Sequence, residues 1–225
     1  MSCYYQGCSQ PGTTKEHIPP QSFFPKDQRN QLLTVKSCAL HNNKKSSDDT
    51  YVLAQICMNT SPSNRSREVW KQSVLPQLDY SGGALRKTLA SDAIPLPSGA
   101  VMYKVDTARC DRFFNALSCG IVFKACGERL PVQYSIEHVY HNFSDVGETP
   151  EKKEFKKHLL SSYSGEPMAV LDFGRVRALN TSVYSVKVFG MPGFRSSITI
   201  VHDFFGVFCV TSMLTRQVDY PRPHV

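Results

Sequence analysis

The chain has 225 residues, of which 41% are hydrophobic and 20% are charged, and its formal net charge is +7. This length suits one medium domain or a small module joined to a larger one, and no apolar run approaches the roughly 18 residues that would cross a bilayer. The first residues lack the features of a signal peptide, so we expect a soluble cytoplasmic protein with no membrane partner, whose basic character is compatible with a polyanion.

The first motif consists of two closely spaced pairs of potential metal ligands, Cys3-x4-Cys8 and Cys38-x2-His41. Because a cytosolic protein keeps its thiols reduced, such pairs favour metal binding over disulfides. Three thiolates and one imidazole suit a structural Zn²⁺, which would supply much of the folding free energy of this short, polar segment. The alternative is four unrelated surface residues, and His41 is the weakest of the four ligands.

Three runs of chemically informative residues lie between and after these pairs. They are Glu16-His17-Ile18-Pro19-Pro20-Gln21-Ser22-Phe23, Asn30-Gln31-Leu32-Leu33-Thr34 and Asn42-Asn43-Lys44-Lys45-Ser46. A carboxylate directly before an imidazole can divide the work of hydrolysis, because the carboxylate holds a divalent cation while the imidazole takes a proton from water. A lone Glu-His pair, by contrast, is usually an exposed dipeptide without function.

Together with the two ligand pairs, these runs resemble the HNH endonuclease family, the zinc-stapled kind of the ββα-metal fold. They are especially similar to the HNH domain of the RNA-guided CRISPR nuclease, which has Asp where Glu16 stands. The resemblance covers Cys3 to Asp49 and implies a nuclease module over residues 1–60. The implied activity is metal-dependent hydrolysis of phosphodiester bonds, in DNA in preference to RNA.

The resemblance also implies roles for individual residues. His17 would be the general base, and Asn30, or Gln31 in its place, would orient the His17 ring. Glu16 would hold Mg²⁺ or Mn²⁺ together with Asn42 or Asn43; many relatives have His at the position of Asn42, so the site here is richer in oxygen. Lys45 would contact a phosphate or the charge of the transition state, and Lys44 would contact nucleic acid.

Several of these positions have alternative interpretations that involve no catalysis or nucleic-acid binding. Asn42 and Asn43 could cap a helix or form an Asx turn. Lys44 and Lys45 could be solvated charges. Arg65 and Arg67 could line a phosphate path beside the module, although such residues are more often a solvated helix face. Residues 1–60 hold six Lys or Arg against four Asp or Glu, so charge alone does not predict nucleic-acid binding there.

The predicted elements after the motifs are helical up to residue 125. A helix begins at Ser46 or Ser47 with two acids in its first turn. A second helix is predicted over residues 66–75, ended by Pro76, and a short third one over residues 84–91. The clearest helix covers residues 107–125, with a broad apolar face and Gly127 as its C-terminal cap. Another helix is predicted over residues 151–160.

After Gly165 the period of the pattern changes from 3.6 to 2. Strands are predicted over residues 168–173, 183–189, 197–202 and 205–212, forming an antiparallel sheet of three to five strands. His138 is predicted to be structural, and His202 with Asp203 is predicted to lie at a turn. The other cysteines within apolar segments are predicted to be core residues; they are Cys57, Cys119, Cys126 and Cys209.

The expected architecture is therefore α+β, with a zinc-stapled ββα-metal module over residues 1–60 and an α+β domain over residues 61–225 that binds substrate or a partner. The leading functional hypothesis is an HNH endonuclease. Small HNH proteins often occur in bacterial antiphage defence systems beside an ATPase or sensor subunit, so the resemblance to this family also implies such a role and such a partner. The alternatives are a catalytically silent zinc module that binds nucleic acid or a protein, and an RNA-cleaving toxin.

Overall fold

The computed structural model describes residues 2–30, 32–43, 46–59, 63–99, 101–144, 147–164, 182–190, 194 and 197–217. Within these ranges helices and strands are mixed, and the C-terminal part forms a four-stranded antiparallel sheet, as the sequence predicts. None of the described helices is long and apolar enough to span a membrane. The predicted strand over residues 168–173 lies outside the described residues.

The N-terminal segment is built on a short β-hairpin. Strand β1 (Thr14–His17) pairs antiparallel with β2 (Thr34–Ser37), with Lys15 opposite Lys36 and Glu16 opposite Val35. Helices α1 (Ala39–Asn43) and α2 (Ser46–Met58) follow, and α2 begins where the sequence predicts, with Asp48 and Asp49 in its first turn. The segment therefore has the order strand, strand, helix, while its membership of the HNH family stays a prediction.

The middle of the chain is helical but departs from the predicted ends. Helix α3 (Asn64–Val69) continues through a π-helical turn (Trp70–Val74) into α4 (Leu75–Leu78). Pro76 does not end the helix, which is a correction. It lies in the first turn of α4, directly after the π-helical turn, and the first turn is where a helix tolerates a proline.

Helix α5 (Tyr80–Ala90) follows, and its first residues, Ser81 to Gly83, have positive φ angles, so regular helical backbone starts at residue 84, as predicted. A small hairpin comes next, formed by β3 (Ile94–Pro95) and β4 (Val101–Met102). Helix α6 (Thr107–Cys126) is the longest element, and left-handed Gly127 caps it as predicted. Its N-terminus is capped by Asp106, whose side chain accepts a hydrogen bond from the backbone N–H of Arg109.

The C-terminal sheet contains β5 (Tyr134–Tyr140), β6 (Tyr184–Phe189), β7 (Ile198–Phe204) and β8 (Phe208–Arg216), in the order β5-β8-β7-β6. Helix α7 (Pro150–Ser162) lies between β5 and β6 in the sequence, close to its predicted range. Two strand boundaries were wrong: β7 extends past His202, and residues 205–207 form a tight turn in which Phe205 has a φ of 59°.

A continuous core joins the N-terminal segment to the sheet through α6. The ring of Phe23 stacks on Phe113 of α6 at 5.2 Å and lies 5.7 Å from Phe204 of the sheet. Ile18 and Gly120 of α6 also meet in this core. Because the two segments share buried residues, the division at residue 60 is not marked by separate cores, and it stays a prediction.

Candidate functional site

The four predicted zinc ligands converge on one point. The ligand atoms of Cys3, Cys8, Cys38 and His41 all lie within 4.8 Å of one another, and this is the one such group of His, Cys, Asp and Glu found in the described parts of the chain. Cys8 and Cys38 have their sulfurs 3.9 Å apart, and the Nδ1 of His41 lies 3.4 Å and 3.3 Å from the sulfurs of Cys3 and Cys38. These residues could hold a metal ion.

The distances fit a tetrahedral centre. A metal bound by sulfur at about 2.3 Å and by nitrogen at about 2.0 Å places two sulfurs about 3.8 Å apart, and a sulfur and a nitrogen about 3.5 Å apart. Burial on its own would raise the pKa of the Cys38 thiol, but the backbone N–H groups of His41 and Leu40 and the neighbouring thiols lower it below its ordinary value. A lowered pKa favours the thiolate, which is the form that binds metal. Burial raises the pKa of the Cys3 thiol in the same cluster, so the thiolate is favoured at Cys38 before Cys3.

Hydrogen bonds tie this cluster to the hairpin and to the rest of the chain. The backbone N–H of Tyr4 donates to the carbonyl of Lys36 at 3.0 Å, so the chain beside Cys3 runs along the outer edge of β2. The side chain of Gln6 donates to the carbonyls of Pro131 and Tyr134, at 2.6 Å and 2.9 Å. The cluster is thus fixed to β2 on one side and to the start of β5 on the other.

Glu16 and His17 lie on opposite faces of β1, because successive side chains of a strand alternate. Glu16 is 3% exposed, and its Oε1 accepts a hydrogen bond of 2.9 Å from the Tyr4 hydroxyl. Burial and the charge of Glu16 keep the pKa of Tyr4 well above its ordinary value, so Tyr4 remains a donor. The carboxylate belongs to no group of potential metal ligands among the described His, Cys, Asp and Glu residues.

The outer face of the hairpin carries Lys15 and His17 from β1 and Thr34 and Lys36 from β2. His17 is partly exposed, and both lysines are exposed. Burial lowers the pKa of His17 below its ordinary value, and the charge of Lys15 lowers it further. This face therefore combines a neutral imidazole with two positive charges.

The other predicted catalytic and metal-binding residues lie in the loop before β2, in α1, or outside the described residues. Asn30 is exposed, and Asn42 and Asn43 lie in α1, half-buried and exposed respectively. Their roles beside His17 and Glu16 stay predictions. Lys44 and Lys45, and the alternative Gln31, lie outside the described residues.

The predicted nucleic-acid residues of α3 differ from each other. Arg65 donates to the carboxylate of Glu68 at 3.0 Å, so its charge is already paired. Arg67 is exposed. A phosphate path along α3 would therefore have to draw on Arg67 or compete with Glu68 for Arg65, and both roles stay predictions.

A buried polar network lies under the C-terminal sheet, away from the hairpin. Tyr184 bonds to Nδ1 of His202 at 2.9 Å, His202 Nε2 to the Ser212 hydroxyl at 3.1 Å, and Ser212 to Nδ1 of His138 at 2.8 Å. The other ring nitrogen of His138 lies 3.0 Å from the side-chain oxygen of Asn115 in α6. His138 is structural, as predicted, whereas the predicted turn position of His202 was wrong because the residue is fully buried inside β7.

The eight cysteines are all free thiols, and their burial varies. Cys119 is 1% exposed, as expected of a core residue, and so is Cys110 of the same helix. Cys57, Cys126 and Cys209 are only partly buried. Burial raises the pKa of Cys57 and Cys209 to about 12, which makes them poor metal ligands and poor nucleophiles.

Three residues of the site were not predicted from the sequence. Tyr4 is the partner of Glu16, and Lys15 and Lys36 flank His17 on the outer face. The signal for the lysines was present, since residues two apart in a strand share a face and Lys15 stands two before His17. The pairing with Lys36 depends on the register of the hairpin, which the sequence does not specify.

Comparison with known proteins gives no further guide. No protein-family model, no curated protein and no solved structure matches this chain.

Proposed function

We propose that the chain is an HNH-type endonuclease that hydrolyses phosphodiester bonds, in DNA in preference to RNA, on a hairpin stapled by zinc. The observation that carries this proposal is the position of His17. It is the last residue of β1, partly exposed on the outer face of the hairpin, with Lys15 on the same face. An accessible imidazole beside positive charge suits a general base that acts on an anionic substrate.

Zinc is the proposed occupant of the ligand cluster. Three sulfurs and one imidazole nitrogen at tetrahedral spacing form a closed set with no open position, which is typical of a structural zinc site. The cluster joins the residues before β1 to the residues after β2, so the ion would hold the ends of the hairpin together. Its proposed role is thus to fix the backbone on which His17 stands.

In the proposed reaction the Nε2 or Nδ1 of His17 takes a proton from a water molecule, and the water oxygen attacks phosphorus. The bond from phosphorus to the leaving oxygen breaks, and that oxygen takes a proton from solvent. The nearby ammonium group of Lys15 favours the approach of the phosphodiester and stabilises the extra negative charge of the transition state. The partial exposure of His17 leaves room for both water and substrate.

A catalytic Mg²⁺ or Mn²⁺ at Glu16 stays a prediction. The carboxylate of Glu16 is buried on the inner face of β1 and accepts a hydrogen bond from Tyr4, and none of the described acids or histidines gathers around it. No step of the proposed reaction is therefore derived through this ion. The requirement for a divalent cation is a separate question for the same assay.

The test uses purified, zinc-loaded protein incubated with plasmid DNA and with RNA, in Mg²⁺, in Mn²⁺ or in EDTA. The His17→Ala variant is compared with His158→Ala, which removes an exposed imidazole from α7. We expect cleavage by the unmodified protein and by His158→Ala, and a loss of at least about a hundredfold in His17→Ala. Cleavage that survives in His17→Ala would refute the assignment of the base.

The second candidate is a zinc-stapled module that binds nucleic acid or a partner protein without cutting. The burial of Glu16 and its bond to Tyr4 favour this reading, because they give the carboxylate a structural use. Absence of cleavage of every substrate in every cation, by protein that binds DNA, would select it over the nuclease.

A further inference from the structure

We infer that Lys15 and Lys36 together form a two-point binding site for the phosphodiester backbone of a nucleic acid on the outer face of the hairpin. The identity of the ligand rests on the proposed function, but the site does not require that the chain cut what it binds. Neither lysine belongs to the motifs that predict catalysis or metal binding.

The register of the hairpin places the two lysines side by side. Lys15 and Lys36 are direct cross-strand partners, so their Cα atoms are about 4.5–5.5 Å apart and their side chains leave the same face. His17 lies two residues along β1 on that face. A backbone that engages both ammonium groups therefore passes within reach of the proposed base.

The backbone that carries Lys36 is held on both edges. Strand β1 pairs with it on one side, and on the other side the N–H of Tyr4 donates to its carbonyl at 3.0 Å. Gly12 also packs closely here, since a Cβ at that position would lie 2.9 Å from the Cβ of Lys36. The two charges are thus presented from a fixed framework and cannot separate by movement of one strand.

The pairing is unfavourable unless an anion is present. Like charges directly opposite each other in a sheet destabilise it, and neither lysine makes an ion pair with any acid that the structure describes. Some other cations of the chain do have acidic partners, as Arg65 pairs with Glu68 and Lys156 with Glu148. The nearest acid in sequence, Glu16, points to the inner face and is occupied by Tyr4.

A nucleic-acid backbone matches this arrangement better than an acidic protein surface does. Its phosphates recur at short, regular intervals, so that two neighbouring cations find partners at once whatever the sequence. Lysine contributes a compact charge with rotatable donors, which suits contacts that position a backbone without reading bases. The expected binding is therefore insensitive to sequence and strongly dependent on salt.

The experiment measures binding of a labelled DNA duplex by fluorescence anisotropy, over a range of salt concentrations, in the zinc-loaded His17→Ala protein. The double variant Lys15→Gln/Lys36→Gln is compared with Lys153→Gln/Lys157→Gln, which removes the same charge from two exposed positions of α7. We expect the hairpin variant to bind about tenfold or more weakly, with the slope of log affinity against log salt reduced by about 1 to 2. The control should change affinity by less than about twofold.

Thermal unfolding supplies the second measurement. Removal of the opposed charges should leave the Tm unchanged or raise it, so that weaker binding cannot be ascribed to loss of folding. Equal losses of affinity in the hairpin and α7 variants would overturn the inference and indicate a general effect of net charge. Undiminished DNA affinity in the hairpin variant, or a preference of the unmodified face for an acidic peptide over DNA, would overturn it as well. A chain that binds DNA through these lysines but never cuts would refute only the nuclease.

Discussion

The hairpin segment and the C-terminal sheet are stabilised in different ways. The hairpin has strands of four residues, exposes one face with two lysines, and has at its ends a cluster of residues that could hold a metal ion. The sheet has strands of six to nine residues and buries many of their side chains, among them the ring of His202. A two-stranded hairpin is marginal alone, whereas a larger sheet packed on a helix sustains itself. The proposed function therefore lies on the short hairpin beside the potential metal site, and we expect the longer strands of the sheet to be the more stable region.

Loss of a cluster ligand should have the largest effect, and the effect should be confined to the hairpin. Cys38→Ser removes the sulfur that lies near both Cys8 and His41. We expect bound zinc to fall from one ion per chain to a small fraction, with a local destabilisation of several kcal/mol. Amide exchange should report it, because the N–H groups of Tyr4 and Ile18 donate to the hairpin strands and their connection.

The matched control is Cys126→Ser, which replaces a partly buried thiol outside the cluster. That variant should retain zinc and normal exchange at Tyr4 and Ile18. Amides of β7 should stay protected in both variants, since β7 is an inner strand of the four-stranded sheet, paired on both sides. Uniform loss of protection across hairpin and sheet in Cys38→Ser would contradict the proposed division of labour.

Acidification should destabilise the sheet through His138 and His202, an effect separate from the loss of metal that protonation of the ligand thiolates would cause at the hairpin. Burial lowers the pKa of His138 to about 4 and that of His202 to about 3, against an ordinary value of 6.5. Below pH 6.5 the two histidines bind protons in the unfolded chain but stay neutral in the folded chain. Their contribution to stability is therefore fully present above that pH and is lost as the pH falls. Each histidine should contribute a slope of about 1.4 kcal/mol per pH unit at most. Chemical denaturation between about pH 7 and 4.5 measures the slope.

The groups that surround these rings include Asp111, whose charge moderates the shift of His138, and the uncharged partners Tyr184, Ser212 and Asn115. His202→Gln should reduce the slope of the free energy of unfolding against pH by about the contribution of one histidine. His158→Gln, at an exposed position, should leave that slope unaltered. Identical slopes in all three proteins would show that the buried network does not govern the acid response.

The features that local pattern determines could be predicted from the sequence. The apolar face of α6 and the glycine at position 127 predicted the extent of that helix. The change of the hydrophobic pattern to a period of two residues predicted the position of the sheet. The metal cluster was also predictable, because Cys3, Cys8, Cys38 and His41 fall in close pairs whose chemistry suits one ion. These features depend on neighbours within a few residues, or on ligand types that can be recognised without knowing the fold.

Features that depend on distant partners could not be predicted. Glu16 has a structural bond to Tyr4 because the N-terminal chain lies against the hairpin, and no local signal reveals that approach. His202 looked like a strand end because Asp203 and Gly206 follow it, yet its ring is buried against Ser212 of the neighbouring strand. The opposition of Lys15 and Lys36 likewise follows from the register alone. Tertiary contacts decided each of these positions.

The smallest effect is expected at the point where α6 meets the hairpin. Gly120 lies inside α6, where alanine would be favoured by about 1 kcal/mol on helix propensity alone. A Cβ there would lie 2.9 Å from Cγ2 and 3.2 Å from Cδ1 of Ile18, the residue that follows His17. Overpacking of this kind costs about 1–3 kcal/mol, so Gly120→Ala should be destabilising by about 1 kcal/mol after the gain in propensity.

A double-mutant cycle isolates that contact from the propensity of the helix. Ile18→Ala alone should cost about 2–5 kcal/mol because it leaves a cavity, and the added methyl of Gly120→Ala partly fills that cavity. We therefore expect the double variant to be more stable than the sum of the single effects by about 1 kcal/mol, measured by denaturant unfolding. If the effects of the two substitutions on the free energy of unfolding were strictly additive, Ile18 would not pack against α6. The helix would then not fix the position of the residue that follows His17. A favourable coupling would show that packing of Ile18 against α6 helps to stabilise the hairpin.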